Sequence, residues 1–301
     1  MLDSFIKSLK EKNIAFSSDE AMSLHTSFKI GGNADIFVCP ETEEQLKLVL
    51  KAAKENAVPV FILGKGSNLL VSDEGIEGAV VSISCLDAII ADGNEITCGA
   101  GAHLSKLCTS ALQNSLSGLE FAYGIPGSVG GALYMNAGAY GGEMAGVVKG
   151  AYCLNENGES VYISKEDMEL GYRTSIFKTN GLIITSVVFA LSNGDEAEIK
   201  AKMDELMERR KSKQPLEYPS AGSTFKRPEG NFAGTLIEQN GLKGLTVGGA
   251  QVSKKHAGFV INVGGATCKD VKELIASIRK TVFENSGVAL ETEVISVGRG
   301  N

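Results

Sequence analysis

The sequence predicts an α+β protein in two parts: a larger glycine-rich part, and a smaller α+β part of about 90 residues at the C-terminal end. Three observations predict it. Short apolar runs of strand character are mixed irregularly with stretches of helical periodicity. Glycine supplies 36 of 301 residues, well above the usual ~7%, and clusters between Phe121 and Glu143. A long charged helix, expected from Asp195 to Lys211, stops at Gln214-Pro215 and marks off the C-terminal third.

Taken in order, residues 2–13 read as a helix with Leu2, Phe5, Ile6 and Leu9 on one face. Gly31-Gly32 is a turn, and Ala34 to Val38 a strand. Thr42 and Gln45 have capping-box spacing and open a helix that runs to about Asn56. Val58 to Leu63 is continuously apolar and is expected to be a strand buried on both faces. It enters Gly64-Lys65-Gly66-Ser67-Asn68, followed by a second strand, Leu69 to Val71. This is not the dinucleotide fingerprint of a doubly wound sheet, because Leu69 stands where the third glycine belongs and no helix pattern follows. It reads instead as a tight loop whose amides point one way, suited to phosphate.

Strands follow at Ala79–Ile83, Ala88–Ala91 and Glu95–Cys98, then a helix with Leu104, Leu107, Cys108, Ala111 and Leu112 at core spacing. Beyond the glycine-rich run come strands at Val147–Leu154, Ser160–Ile163 and Leu182–Leu191. The helix after them carries Ile199, Met203, Leu206 and Met207 as its stripe. The C-terminal third shows a helix start at Thr235–Gln239 and strands near Val247–Val252 and Phe259–Asn262. A helix over Lys269–Asn285 and a final strand over Val288–Val297 complete it.

The run FAYGIPGSVGGALYMNAGAYGGE mixes glycine with Phe121, Tyr123, Leu133, Tyr134 and Met135. A flexible linker carries Ser, Pro and charge rather than large apolar residues. Glycine among such residues marks buried backbone that something approaches closely. With Ser128, Asn136 and the backbone amides as donors, the run reads as the floor of a nucleotide-cofactor site.

The net charge of −7 divides into −11 over residues 1–200 and +4 over residues 201–301. A basic C-terminal third suits a small anionic ligand, whereas a nucleic-acid binder is more basic overall. The cysteines (39, 85, 98, 108, 153 and 268) form no CxxC pair and sit mostly in apolar runs, so buried reduced thiols in a cytoplasmic protein are expected. No metal-ligand spacing occurs. The first residues, MLDSFIKSLKEKNI, lack a signal-peptide core, and no apolar run approaches the ~18 residues of a membrane span.

Three further polar clusters are GYRTSIFK (171–178), SAGSTFKRP (220–228) and Glu291-Thr292-Glu293. Singly each is ordinary: a surface arginine, a turn serine, and two carboxylates on one face of a strand. Together with HTSFKIGG (25–32), LGKGSNLLVSDEGIEGAVV (63–81), the glycine-rich run, LIEQNGLKG (236–244), GGAQVSKKHAGFVIN (248–262) and LETEVISVG (290–298), their order resembles the UDP-N-acetylenolpyruvoylglucosamine reductase family. The likeness runs from about residue 20 to the end. Lys29 stands where a common form of the first motif has Arg, which keeps the charge but not a bidentate contact.

The resemblance implies an N-terminal helix (1–20), an FAD-binding domain of the vanillyl-alcohol-oxidase type in two α+β halves (21–195) and a substrate domain (196–301). It implies non-covalent FAD reduced by NADPH, then reduction of a UDP-sugar enolpyruvyl ether to UDP-N-acetylmuramate for peptidoglycan, in a monomeric cytoplasmic enzyme. Arg173, Ser223 and Glu293 match the catalytic positions, with Ser223 as proton donor. Lys29, Gly64, Lys65, Gly66, Ser67, Asn68, Leu69, Tyr123, Gly124, Pro126, Gly127, Ser128, Gly130, Gly131 and Asn136 match FAD-binding segments. Tyr172, Lys226, Arg227, Asn240, Lys255 and His256 are expected at the substrate. Arg173 passes quickly into the next strand, as in the shorter subclass that lacks a substrate-covering insert.

Two other readings compete. An oxygen-using oxidase of the same superfamily holds FAD covalently through His or Cys near the glycine loops, but Asn33 follows Gly31-Gly32 here and no His adjoins the phosphate loop. A nucleotide-binding regulatory protein has no need of the Arg173, Ser223 and Glu293 set.

Overall fold

The structure is a computed structural model and describes residues 1–300. The helices are α1 (Leu2–Glu11), α2 (Glu43–Glu55), α3 (Leu104–Gln113), α4 (Val129–Tyr134), α5 (Glu196–Lys213), α6 (Ala233–Gln239) and α7 (Cys268–Ser286). Their caps follow the sequence. Thr42 Oγ1 accepts the amide of Gln45 at 3.1 Å, while Gln45 Oε1 accepts the amide of Glu41 at 2.9 Å. Thr267 and Asp270 form a full capping box on α7, which ends on Gly287 at φ +70°.

One sheet has the strand order Phe16–Ala21, Asn33–Val38, Ile76–Ser82, Val60–Leu63, the last pair parallel. A five-stranded antiparallel sheet runs Ser160–Ser164, Val148–Leu154, Ile183–Ala190, Glu95–Gly99, Ile89–Asp92. A smaller antiparallel sheet contains Thr246–Val247, Ala250–Val252 and Val260–Asn262.

The chain divides into two compact units that are not contiguous in sequence. The first holds Met1–Ser17, Ile36–Lys65 and Gly78–Arg210; the second holds Ser18–Asp35, Gly66–Glu77 and Lys211–Asn301. The first unit has two apolar cores. One lies beneath α1 and α2, around Phe5, Leu9, Leu46 and Val81. The other lies beneath α3 and α4, around Leu104, Val129, Leu133 and Phe189. The core of the second unit joins Phe28, Ile30 and Leu70 to Ile237, Val252, Leu274 and Ile278. The periodicity of α7 accounts for that packing: Val271, Leu274, Ile275, Ile278 and Val282 are buried, while Phe283 is 57% exposed.

The expected strand Val247–Val252 is a hairpin of Thr246–Val247 and Ala250–Val252, and the strand Phe16–Ala21 has no counterpart in the sequence reading. Three further elements differ from that reading. The strand Val60–Leu63 is not buried on both faces; it is an edge strand, and Val60 is 36% exposed. The expected strand over Val288–Val297 is regular only at Ile295–Val297. Its backbone changes partner there: Glu291 O and Glu293 N–H bond to Lys226 N–H and Thr224 O, whereas Ile295–Val297 pairs in parallel with Leu69–Val71. The glycine-rich run contains helix α4, although glycine costs a helix about 1 kcal/mol per residue relative to alanine. Ser128 caps it by accepting the Gly131 amide at 3.3 Å, and Val129, Ala132 and Leu133 form its buried face.

Four cysteines are buried thiols as expected, but Cys39 is half-buried and Cys85 exposed. No group of three or more metal-ligating side chains occurs among the described residues, and no helix there is long and apolar enough to cross a membrane.

Candidate functional site

In the first unit, the strand Val60–Leu63 delivers Gly64 against the N-terminus of α4. A Cβ at Gly64 would stand 2.4 Å from Ser128 Oγ, so only glycine fits. Leu104 N–H bonds to Gly127 O at 3.1 Å, and Gly130 N–H to Ala100 O at 2.8 Å. A Cβ at Gly130 would lie 2.7 Å from the Ala100 Cβ. Gly127, at φ +156°, sits at the margin of the region that L side chains rarely adopt. Gly131 is exposed, and a Cβ there would lie 3.1 Å from Ser128 Oγ. Gly124 lies against the Arg210 stem, 3.1 Å from its Cδ. Tyr123 packs on the core, while Pro126 is exposed.

The second half of the glycine-rich run is tied to the segment 171–178. Buried Asn136, at φ +41°, donates from Nδ2 to Gly171 O at 3.0 Å and accepts the Ala145 amide on Oδ1 at 2.9 Å. Ser175 Oγ donates to Tyr134 O at 2.7 Å, and Lys178 Nζ to Arg173 O at 2.6 Å. Arg173 Nη2 donates to Gly138 O at 3.2 Å, and the guanidinium carbon stands 5.4 Å from the Tyr172 ring centroid. Arg173 itself has φ +56°, an uncommon conformation for a residue with a side chain.

In the second unit, the loop after Lys65 turns at Gly66, φ +58°, where a Cβ would meet His25 O at 2.2 Å. Ser27 N–H bonds to Gly66 O at 3.2 Å, which holds the segment carrying exposed Lys29 beside this loop. Among the described residues, no acceptor is hydrogen-bonded to the amides of Lys65, Gly66, Ser67 or Asn68. Successive unused donors on a glycine turn suit a diphosphate, which offers only acceptors, so the residues present fit the diphosphate of a dinucleotide. Leu69 begins the strand that follows.

The same loop reaches the C-terminal motifs. Asn68 Nδ2 donates to Glu293 O at 3.1 Å, and Asn68 O accepts the Ile295 amide at 3.0 Å. Glu293 N–H bonds to Thr224 O at 2.8 Å, so exposed Ser223 and half-buried Glu293 stand on adjoining backbone. Thr224, which sequence reasoning passed over, is the pivot. It is buried, its amide bonds to Gly258 O at 2.9 Å, and its Oγ1 accepts the Val260 amide at 2.9 Å. Its one signal was a β-branched residue between glycine-flanked Ser223 and Phe225.

The expected substrate residues have mixed placements. Lys226 Nζ meets Glu291 Oε2 at 3.1 Å, and the Arg227 guanidinium stacks 4.0 Å from the Phe232 ring centroid. Lys255 Nζ donates to Lys211 O at 2.7 Å. Tyr172 is 56% exposed. The Asn240 amide is committed to the protein: it donates to Leu236 O at 2.8 Å at the end of α6 and accepts Asn285 Nδ2 at 2.7 Å. His256 lies edge-on to Phe259 and accepts the Gly258 amide on Nδ1 at 3.1 Å. Burial holds its pKa below the usual imidazole range, so it is neutral at pH 7.

Two family models match the chain: an FAD binding domain over residues 34–164, and the C-terminal domain of UDP-N-acetylenolpyruvoylglucosamine reductase over residues 214–297. A UDP-N-acetylenolpyruvoylglucosamine reductase of Clostridium perfringens is 55% identical over 281 residues, covering 93% of this chain and 92% of its own. The chain belongs to the UDP-N-acetylenolpyruvoylglucosamine reductase family. A reductase of the same name from Alkaliphilus oremlandii is 56% identical, with the same shares of each chain covered. A solved UDP-N-acetylenolpyruvylglucosamine reductase from Thermus caldophilus superposes with a TM-score of 0.80 at 36% identity, covering 94% of this chain and 98% of that one. The α+β architecture with an FAD-binding domain and a distinct C-terminal domain is therefore that of the reductase family.

Proposed function

We infer that this chain is the flavin-dependent reductase that converts the enolpyruvyl ether of UDP-N-acetylglucosamine to UDP-N-acetylmuramate, a step of peptidoglycan precursor synthesis. It is an oxidoreductase that uses FAD with NADPH as reductant. The observation that carries the reading is the family membership of the chain in sequence and fold; the adjoining backbone of Ser223 and Glu293 supports the roles proposed for them. Both substrates are soluble nucleotides, which supports the reading of a cytoplasmic enzyme, and we read it as a monomer.

When bound, FAD would supply hydride transfer from NADPH to C3 of the enolpyruvyl group. The chain's residues govern the rest. The loop Lys65–Asn68 holds the diphosphate with its free amides, and Gly64, Gly127, Gly130 and Gly131 keep side chains out of the cofactor floor. Hydride arrival at C3 moves negative charge toward the substrate carboxylate. Arg173, its loop held by Asn136, Ser175 and Lys178, supplies a fixed cation against that charge. Glu293, its backbone clamped by Asn68 and Thr224, supplies a hydrogen bond as the protonated acid, since an ionised carboxylate only accepts. Ser223 donates its hydroxyl proton to C2. A serine is a weak acid in water and serves here only because it is fixed against a carbanion-like acceptor. Lys226, Arg227 and Lys255 provide cationic charge for the UDP diphosphate, and Tyr172 an exposed aromatic face.

The purified protein tests the reading. It should be yellow, release FAD on acid precipitation, and oxidise NADPH in proportion to added enolpyruvyl substrate. A colourless protein that takes up no FAD overturns it. Rapid NADPH oxidation that follows oxygen and ignores the substrate would instead support the oxidase reading.

A further inference from the structure

We propose that Cys39 and Cys85 form a covalent modification site, which closes into an intramolecular disulfide on meeting a small-molecule disulfide. The two residues are 46 apart in sequence, yet their sulfurs lie 3.2 Å from each other. The sheet explains the meeting: Cys39 follows the strand Asn33–Val38, and Cys85 follows its sheet neighbour Ile76–Ser82. A disulfide requires about 2.05 Å between sulfurs, so closure asks for a side-chain movement of about 1 Å.

Their surroundings divide the labour. Cys85 is exposed and meets the reagent; Cys39 is half-buried, with its sulfur also 3.2 Å from Ser84 Oγ. The other four thiols are enclosed. Burial pushes Cys98 and Cys153 up to about 12 and Cys108 further still, so their thiolates are scarce and out of reach. Cys268 is also buried and shifted upward.

The chemistry balances without another reactant. The Cys85 thiolate attacks the disulfide RSSR, forming Cys85–S–SR and releasing RS⁻. The Cys39 thiolate then attacks the Cys85 sulfur and releases the second RS⁻. Two thiol protons leave to solvent, two electrons pass to RSSR, and two RS⁻ ions take up protons as RSH. The hydrogen bond with Cys39, then burial and the Glu41 charge, hold the Cys85 thiol above its ordinary pKa, so the reaction quickens as pH rises. The closed bond tethers the loop whose Leu86 O accepts the Gly101 amide at 2.9 Å, next to the Ala100 against which Gly130 packs.

The test treats the holoenzyme with oxidised glutathione at about pH 8.5, near the ordinary cysteine pKa, and blocks remaining thiols after denaturation. Four of the six cysteines should take the blocking reagent, and a non-reducing peptide map should join the peptides bearing Cys39 and Cys85. Cys39→Ser should retain glutathione on Cys85. Oxidation should raise Tm by several degrees, reversibly with dithiothreitol, because the crosslink closes a long loop, and should not do so in Cys39→Ser. Six reactive thiols after exhaustive treatment overturn the proposal. So does glutathione that persists on Cys85 of the unsubstituted chain, or a crosslink through any other cysteine.

Discussion

Replacing Asn136 with alanine tests how the glycine-rich run supports the Arg173 loop. The side chain makes two hydrogen bonds, to Gly171 O at 3.0 Å and from Ala145 N at 2.9 Å, and is 1% exposed. Removing it strands a buried partner at a cost of about 1–3 kcal/mol each. The lower end applies here, because Gly171 O still accepts the Thr174 amide at 3.2 Å and Ala145 is only half-buried. Asn136 also sits at φ +41°, where alanine pays roughly 1 kcal/mol more than asparagine. The sum is about 3 kcal/mol, or a fall in Tm of roughly 5 °C for a chain of this size. Gly171 adjoins Tyr172 and Arg173, so reoxidation of the reduced enzyme by the enolpyruvyl substrate should slow more than reduction by NADPH. Asn136→Asp keeps an acceptor for Ala145 N–H but points a carboxylate at the Gly171 carbonyl, and should be no more stable than the alanine variant. Calorimetry and stopped-flow spectroscopy read both effects. A Tm within about 1 °C of the parent, with both half-reactions intact, refutes the tether.

The remaining expectations concern the proposed chemistry and the scaffold. Ser223→Ala should leave flavin reduction by NADPH nearly unchanged and slow substrate reduction by several orders of magnitude; equal loss in both stopped-flow phases would assign Ser223 a structural role. Glu293→Ala should cost ~10²–10³ in turnover and Glu293→Gln less, since the amide keeps a donor, while Arg173→Lys should lose much of the activity for want of a planar fork. Steady-state kcat ranks these variants, and Gln as slow as Ala removes the hydrogen-bond role. Gly64→Ala should lower flavin occupancy, read from the ratio of visible to ultraviolet absorbance, because its Cβ would stand 2.4 Å from Ser128 Oγ; full occupancy contradicts the floor assignment. Asp270 is held below the usual carboxylate range, first by the Thr267 amide. Its contribution is therefore present above the unfolded carboxylate value of about 4 and is lost as pH falls through the lower folded value. Asp270→Asn should flatten that acid limb in denaturant titrations, and an unchanged slope would show the cap to be energetically silent.

Local chemistry alone determined much of this protein. The stripes of α3, α5 and α7, the Thr42 cap and the strands around Val148–Leu154 follow from periodicity and hydrogen-bonding residues that act within a few positions. The ordered motifs did the same for the family, since loops that hold cofactor and substrate carry their own glycines and donors. Long-range pairing was decided only in three dimensions. Residues 18–35 and 66–77 pack with the C-terminal third, because Phe28, Ile30 and Leu70 complete its core, and no periodicity near them says so. The last strand stops short of Glu293 because its backbone partner changes from Thr224 to Asn68, residues far apart in sequence. Helix α4 forms despite its glycines because Ser128 caps it and its apolar face is buried, and glycine is needed at 130, where a Cβ would lie 2.7 Å from the Ala100 Cβ. Cys39 meets Cys85 because two strands lie side by side, a closeness that spacing in the chain cannot encode.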